Sequence, residues 1–241
     1  MREGHHHRES RVLITAPTDA VLTLTACKAA LGISGTGQDA ILTAAIAATT
    51  GELDPAAGGW LGRALRPQTW ELRLPSFTDH DCRHHRHPPP AIALPFPPLI
   101  AIVSVKYDDL DGVERTLVED TDFRVLDAGG RGKQAIAPLY GGRWPQARCD
   151  IQAVRIRFQA GYPAAVGADP GPATPDRMPP QILQAVALGA RALVSSAGTN
   201  LFLAQDKVEG LGEKRYAVSI EANQLLRSTM EGLVSPLRVF G

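Results

Sequence analysis

The sequence predicts an α+β fold: a small helical bundle, made of an N-terminal helix pair and C-terminal helices, with an inserted antiparallel β-rich region. Three observations predict it. Apolar residues recur at helical spacing near both ends of the 241-residue chain. In the middle they alternate with polar residues at a period of two. Prolines and glycines separate the two regimes. The chain reads as one composite domain in three parts: residues 1–66, helical; 67–162, β-rich; and 163–241, a proline-rich linker followed by helices and an extended tail.

Thr25 precedes a short helical stretch through Leu31, which Gly32 can end. Asp39 can cap a second helix, with Ile41, Leu42, Ala45, Ile46 and Leu53 at helical spacing. Pro55 and Gly58-Gly59 weaken its end. Two short helices bury little alone and must pack on something else. In the second part, Trp70, Leu72 and Leu74 alternate with Glu71 and Arg73. Val103, Val105 and Tyr107 alternate with Ser104 and Lys106, and Val154, Ile156 and Phe158 with Arg155 and Arg157. Such alternation marks an antiparallel sheet with one buried and one solvated face. Asp108-Asp109-Leu110-Asp111-Gly112 reads as a hairpin turn. Pro88–Pro90 and Pro95–Pro98 confine Ala91–Leu94 to a short or edge strand. The linker 163–180 carries six prolines and two glycines. Pro179-Pro180 can open a helix, and Ile182, Leu183, Val186, Ala190, Leu193 and Val194 mark its apolar stripe. A final helix is expected over Ser219–Leu233, with Ala222, Leu225, Leu226 and Leu233 on one side. Ser235-Pro236 ends it and leaves the tail to Gly241.

The charge balance is 25 basic against 25 acidic residues. That argues against non-specific nucleic-acid binding and against a basic membrane-surface protein. No apolar run approaches the roughly 20 residues of a membrane span, and the N-terminus lacks the apolar core of a secretory signal. Cys27, Cys82 and Cys149 are odd in number and far apart, which fits a reducing compartment better than a disulfide scaffold.

Catalytic motifs are absent. Gly32–Gly37 has the wrong spacing for a nucleophile elbow or a dinucleotide loop, and Gly132-Lys133 lacks the upstream glycine of a phosphate loop. His80, Asp81, Cys82, His84, His85 and His87 are all zinc-ligand types. They lie within one short polar stretch, which reads as an exposed inter-strand loop rather than a metal-dependent hydrolase site. Asp108, Asp109 and Asp111 lack the glycine and glutamate of a calcium loop. Trp60, Trp70 and Trp144 have no basic track between them, so packing explains them better than base stacking. No cofactor, metal or catalytic residue is assigned.

The order of segments carries more. Arg63-Ala64-Leu65 precedes Gln68-Thr69-Trp70-Glu71-Leu72, and the proline-led strand from Pro97-Pro98-Leu99-Ile100 runs to Val105-Lys106-Tyr107. Asp111-Gly112, Asp122-Phe123-Arg124-Val125 and Ile156–Tyr162 follow. Pro179-Pro180-Gln181-Ile182 then opens a helix, and Leu233–Val239 closes the chain. In this order the segments resemble the head-tail connector (adaptor) proteins of tailed bacteriophages and gene transfer agents. The stretch Asp79–Pro90 is longer than the family pattern, and Ser195–Asn200 departs from it.

The resemblance implies a structural virion protein of the neck, present in the host cytoplasm during assembly. Such adaptors form a ring under the portal, commonly of twelve copies, and extend the DNA channel toward the tail. The implied partners are the portal protein, a stopper or tail protein, neighbouring copies, and double-stranded DNA that passes without specific binding; no membrane is involved. A stopper or tail-completion protein of the same particle is the alternative.

Two sets of interface residues follow. From Lys106 to Asp127 there are 3 basic and 8 acidic residues, and from Ala128 to Arg157 there are 6 basic and 1 acidic. A head-to-tail ring joins different surfaces of one subunit. Asp108, Asp109, Asp111, Glu119 and Asp120 are therefore expected to face Arg131, Arg143, Arg148, Arg155 and Arg157 of a neighbour. Neutralisation between strands of one chain is equally open. The tail Pro236, Leu237, Arg238, Val239, Phe240 and Gly241 is expected to contact the portal, with packing on its own domain as the alternative.

Overall fold

A computed structural model describes residues 9–77, 91–128, 134–163, 178–197, 206–208, 212–214 and 220–239. It is a mixed α+β fold whose chain divides into two units, one mainly β and one mainly helical. The β unit takes residues 1–19, 62–177 and 239–241, and the helical unit residues 20–61 and 178–238.

In the β unit, β1 (Ser10–Thr15), β2 (Gln68–Leu74), β8 (Val154–Ala160), β4 (Leu99–Asp108) and β5 (Glu114–Leu117) form one antiparallel sheet in that spatial order. β3 (Ile92–Leu94), β7 (Gln134–Pro138) and β6 (Phe123–Leu126) form a second, with β3 at an edge as its flanking prolines require. The Gln134 side chain links the region: its Oε1 accepts from the Leu99 amide, and its Nε2 donates to the Asp127 carbonyl at 2.9 Å.

The period of two holds in β8, where Val154, Ile156, Phe158 and Ala160 are buried and Arg155, Arg157 and Gln159 are half-buried. It fails in β4. Leu99 pairs with Ala160 but Ala101 with Gln159, and Ile102 pairs with Phe158 but Ser104 with Arg157. Two bulges thus insert Ile100 and Val103 as extra residues. A bulge resets which face the next side chain takes. Val105 is fully buried, whereas Val103 is 56% exposed and does not share its face as expected. Strand β1 also departs from the sequence reading, which placed residues 10–15 in a helical part.

The helical unit contains α1 (Leu24–Leu31), α2 (Asp39–Leu53), α3 (Pro180–Ala197) and α4 (Ile220–Val234). Helix α3 packs on the other three and buries Ile182, Ala185, Val186, Ala187 and Ala190. The cap of α1 is Thr23 rather than Thr25: its hydroxyl accepts from the Ala26 amide at 3.2 Å. Gly32 closes α1 at φ 65°. Asp39 does not cap α2. Gln38 holds that position, and Asp39 is the first helical residue, paired with Lys28 Nζ at 2.7 Å.

The buried stripe of α2 is Leu42, Ala45, Ile46, Thr49 and Leu53, with Ile41 turned outward. Among the described side chains of α4 the buried ones are Met230 and Val234; of the expected face, Leu226 and Leu233 are half-buried, Leu225 is 66% exposed, and the Ala222 side chain lies outside those described. Met230 and Thr49 close on Gly189 of α3, where a Cβ would lie 2.8 Å from Met230 Sδ and 2.5 Å from Thr49 Cγ2. Strands β9 (Asp206–Val208) and β10 (Gly212–Lys214) pair as a two-stranded ribbon in a stretch without a clear sequence pattern.

Candidate inter-subunit surface

Strands β2, β8, β4 and β5 carry their charged residues on one sheet face, save Arg115 of β5, which pairs with Tyr107 on the other. Register explains it: Glu71 is opposite Arg157, Arg73 opposite Arg155, and Lys106 opposite Arg155 from the other side. Glu71 is buried, and its carboxylate accepts from Arg73 Nε at 2.7 Å and from Arg157 Nη2 at 2.7 Å. Burial alone would raise the Glu71 carboxyl. The hydrogen bonds from Arg157 and Arg73 outweigh it and hold the group below the ordinary carboxylate range.

At the neighbouring position Arg155 grips Asp108 with two nitrogens, at 2.7 and 3.2 Å, and reaches Glu114 at 3.0 Å. Glu114 also accepts from Lys106 at 2.7 Å. The hydrogen bond from Arg155 lowers Asp108, and those from Lys106 and Arg155 lower Glu114.

The hairpin turn between β4 and β5 is built by Asp109. Its Oδ1 accepts from the amides of Asp111 and Val113, at 3.1 and 2.9 Å, and its Oδ2 from Arg115 Nε at 2.8 Å. These bonds lower its pKa, that from Arg115 most. Gly112 takes φ 80°, where a side chain is strained. Arg148 pairs with Asp150 at 2.5 Å, and its amide donates to the Asp108 carbonyl, so the segment before β8 runs beside the turn.

Each expected interface residue can now be placed. Asp108, Asp109, Arg148, Arg155 and Arg157 are satisfied by partners in their own chain. Asp111, Glu119, Asp120 and Arg143 are exposed, and their side chains make no ion pair among the described residues. Arg131 lies outside the described residues. Glu71 and Arg115, the internal partners of Arg157 and Asp109, were not singled out from the sequence. Their signal is positional, since both occupy charged positions whose cross-strand neighbours are known only once the register is.

In the tail, Val234 and the turn Ser235–Leu237 end α4. The Arg238 guanidinium lies over the Trp60 ring, 5.4 Å from its centroid. A Cβ at Gly62 would strike the Val239 carbonyl, so glycine is required there. Both contacts fold residues 238–239 back on their own chain. Pro236 is exposed, and Phe240 and Gly241 lie outside the described residues.

The His80–His87 cluster also lies outside them, and among the described residues no three His, Cys, Asp or Glu side chains converge as a metal site. Cys27 is buried and Cys149 exposed, both unbridged. The tryptophans pack: Trp144 stacks on Phe77 at 4.8 Å, and Trp70 meets Phe96 at 4.4 Å. Among the described residues no helix is long and apolar enough to cross a membrane.

No protein-family model and no curated protein matches the chain. Solved structures do. One chain of the virion of a native gene transfer agent particle is 19% identical, with 96% of each chain covered and a TM-score of 0.59. A chain from the neck of an empty particle, treated with C6 symmetry, is 20% identical over 96% of each chain, with a TM-score of 0.55. A chain from the neck of a native particle, treated with C12 symmetry, is 19% identical over the same share, with a TM-score of 0.53. At these identities the likeness establishes the fold, a mixed α+β architecture similar to that of chains in gene transfer agent particles.

Proposed function

We propose that the chain is a structural component of a virion neck: a head-tail adaptor that forms a ring beneath the portal and continues the DNA channel toward the tail. The observation that carries this reading is the fold likeness over 96% of both chains to structures from the necks of gene transfer agent particles. Fold alone does not fix function. Here it coincides with an ordered set of segments that independently resembles the adaptor family.

The reading gives the protein mechanical rather than catalytic work. Its partners are the portal, a stopper or tail protein, and further copies of itself. Its balanced charge suits a conduit, because each phosphate contact would add salt-dependent grip on passing DNA. The tail from Pro236 to Gly241 is the segment assigned to the portal, and Pro236 within it is exposed.

The test is negative-stain imaging of the purified protein mixed with portal rings of the same particle. A ring of added density on the tail-facing side of the portal is expected. Absence of portal binding, with binding to the end of a tail tube instead, would make the protein a stopper or tail-completion component.

A further inference from the structure

We propose that the Tyr140–Arg143 turn of one copy docks on the β4–β5 hairpin tip of the next. Tyr140 lies on Leu110 and Val113, and the Arg143 guanidinium meets the Asp111 carboxylate. This rests on the ring reading and names a contact within it.

Internal pairing decides which charges are left to act between copies. Among the basic candidates described, Arg148, Arg155 and Arg157 are held by carboxylates of their own chain. Arg143 is exposed and has no side-chain partner among the described residues. Beside it, Tyr140 is 99% exposed. A wholly exposed tyrosine and an unpaired arginine on one short turn are the residue types that dominate interface energies.

The turn is also held in shape. The Gly142 amide donates to the Leu139 carbonyl at 2.9 Å, and Trp144, next in sequence to Arg143, is stacked face to face on Phe77. Little conformational freedom remains to be lost on docking.

Such a pair needs an apolar seat beside a carboxylate outside any ion pair. The hairpin tip offers one: Leu110 is 65% exposed, Val113 is 49% exposed, and Asp111 between them makes no ion pair among the described residues, with Arg115 acting on it only as a nearby charge. Asp109 fixes the shape of this tip through its bonds to the Asp111 and Val113 amides.

Glu119 and Asp120 are the other expected interface acids that make no ion pair among the described residues. They precede β6, whose Phe123 pairs with Pro138 of β7, so their turn leaves the sheet at the same end as the Tyr140 turn. Beside them only Val118 is an exposed large apolar side chain among the described residues, against both Leu110 and Val113 at the hairpin tip. The fuller apolar seat selects Asp111, and turn and tip are different patches, as a ring requires.

The experiment compares wild type, Arg143→Asp, Asp111→Arg, the double variant Arg143→Asp/Asp111→Arg, and Tyr140→Ala. Each is mixed with portal rings and read by mass and by imaging. All the positions are exposed, so unfolding midpoints should match wild type. Each single charge reversal should weaken assembly at least tenfold, and Tyr140→Ala about tenfold. The double variant should recover most of the loss.

Single variants that assemble like wild type overturn the contact and leave the ring reading standing. Two defective singles with no recovery in the double variant overturn the Arg143–Asp111 pairing. A wild-type protein that does not assemble on the portal overturns the ring reading, and the contact with it.

Discussion

Gly189→Ala sets two effects of known size against each other. In an exposed helix interior, alanine is favoured over glycine by about 1 kcal/mol. Gly189 is not exposed. Its new methyl would sit 2.5 Å from Thr49 Cγ2 and 2.8 Å from Met230 Sδ, against a comfortable separation of about 3.5–4.0 Å. Met230 is a flexible thioether and can give way. Thr49 cannot do so freely, because its hydroxyl donates to the Ala45 carbonyl at 2.9 Å and fixes the rotamer. Overpacking of this kind costs about 1–3 kcal/mol.

The net expectation is a loss of about 1–2 kcal/mol, with the thermal midpoint lowered by about 2–4 °C per kcal/mol. Gly232→Ala, in α4 with nothing within 4 Å of the added carbon, should instead gain about 0.5–1 kcal/mol. Thr49→Ser removes the offending methyl and keeps the hydroxyl, so Gly189→Ala/Thr49→Ser should recover part of the loss. Urea and thermal unfolding followed by helical circular dichroism measure all four. A Gly189→Ala protein as stable as Gly232→Ala would refute the reasoning.

Other outcomes follow from the sheet. The folded-state pKa of Glu71 is lowered, so its contribution is present above the unfolded value of about 4.3 and is lost as pH falls through the folded one. Glu71→Gln should therefore flatten the acid limb of a stability–pH curve; an unchanged limb would remove the assignment. Asp109→Ala should open the hairpin tip, seen as faster hydrogen exchange at the Val113 amide. Val103→Lys should fold normally while Val105→Lys should not, a comparison that soluble yield and near-ultraviolet dichroism decide. Arg157→Ala should cost about 1 kcal/mol, because Glu71 keeps Arg73. A charge reversal at Arg155 or Arg157 would disturb the subunit's own sheet before any ring contact.

Where local pattern and burial agree, the sequence was readable. Strand β8 alternates cleanly because its neighbours β2 and β4 pair with it along its whole length. Proline and aspartate–glycine chemistry located β3 and the β4–β5 turn. Val103 was misplaced because a bulge is a property of the pair of strands, not of one strand's pattern. Leu225 and Ile41 were misplaced because a helix carries more apolar residues than its neighbours can cover.

The charge blocks were visible, but their pairing was not. The acidic and basic runs meet partly because β4 and β8 are adjacent and antiparallel, which gives Asp108 to Arg155. Linear charge counting cannot separate such internal neutralisation from complementarity between copies. Register can, and it leaves only a few charges over.

The helical unit draws α1 and α2 from one side of the β-rich insertion and α3 and α4 from the other. During synthesis this imposes a wait. At about 5–20 residues per second, α3 leaves the ribosome roughly seven to thirty seconds after α2. Until then Leu42, Ile46 and Leu53 have no α3 to cover them. The β unit has most of its chain in hand sooner and can order first. Closing the long intervening loop afterwards costs little extra, since that entropy grows only with the logarithm of its length. The nascent chain should therefore depend on chaperone holding in this interval, and slowing translation between residues 62 and 177 should raise aggregation more than slowing it after residue 197.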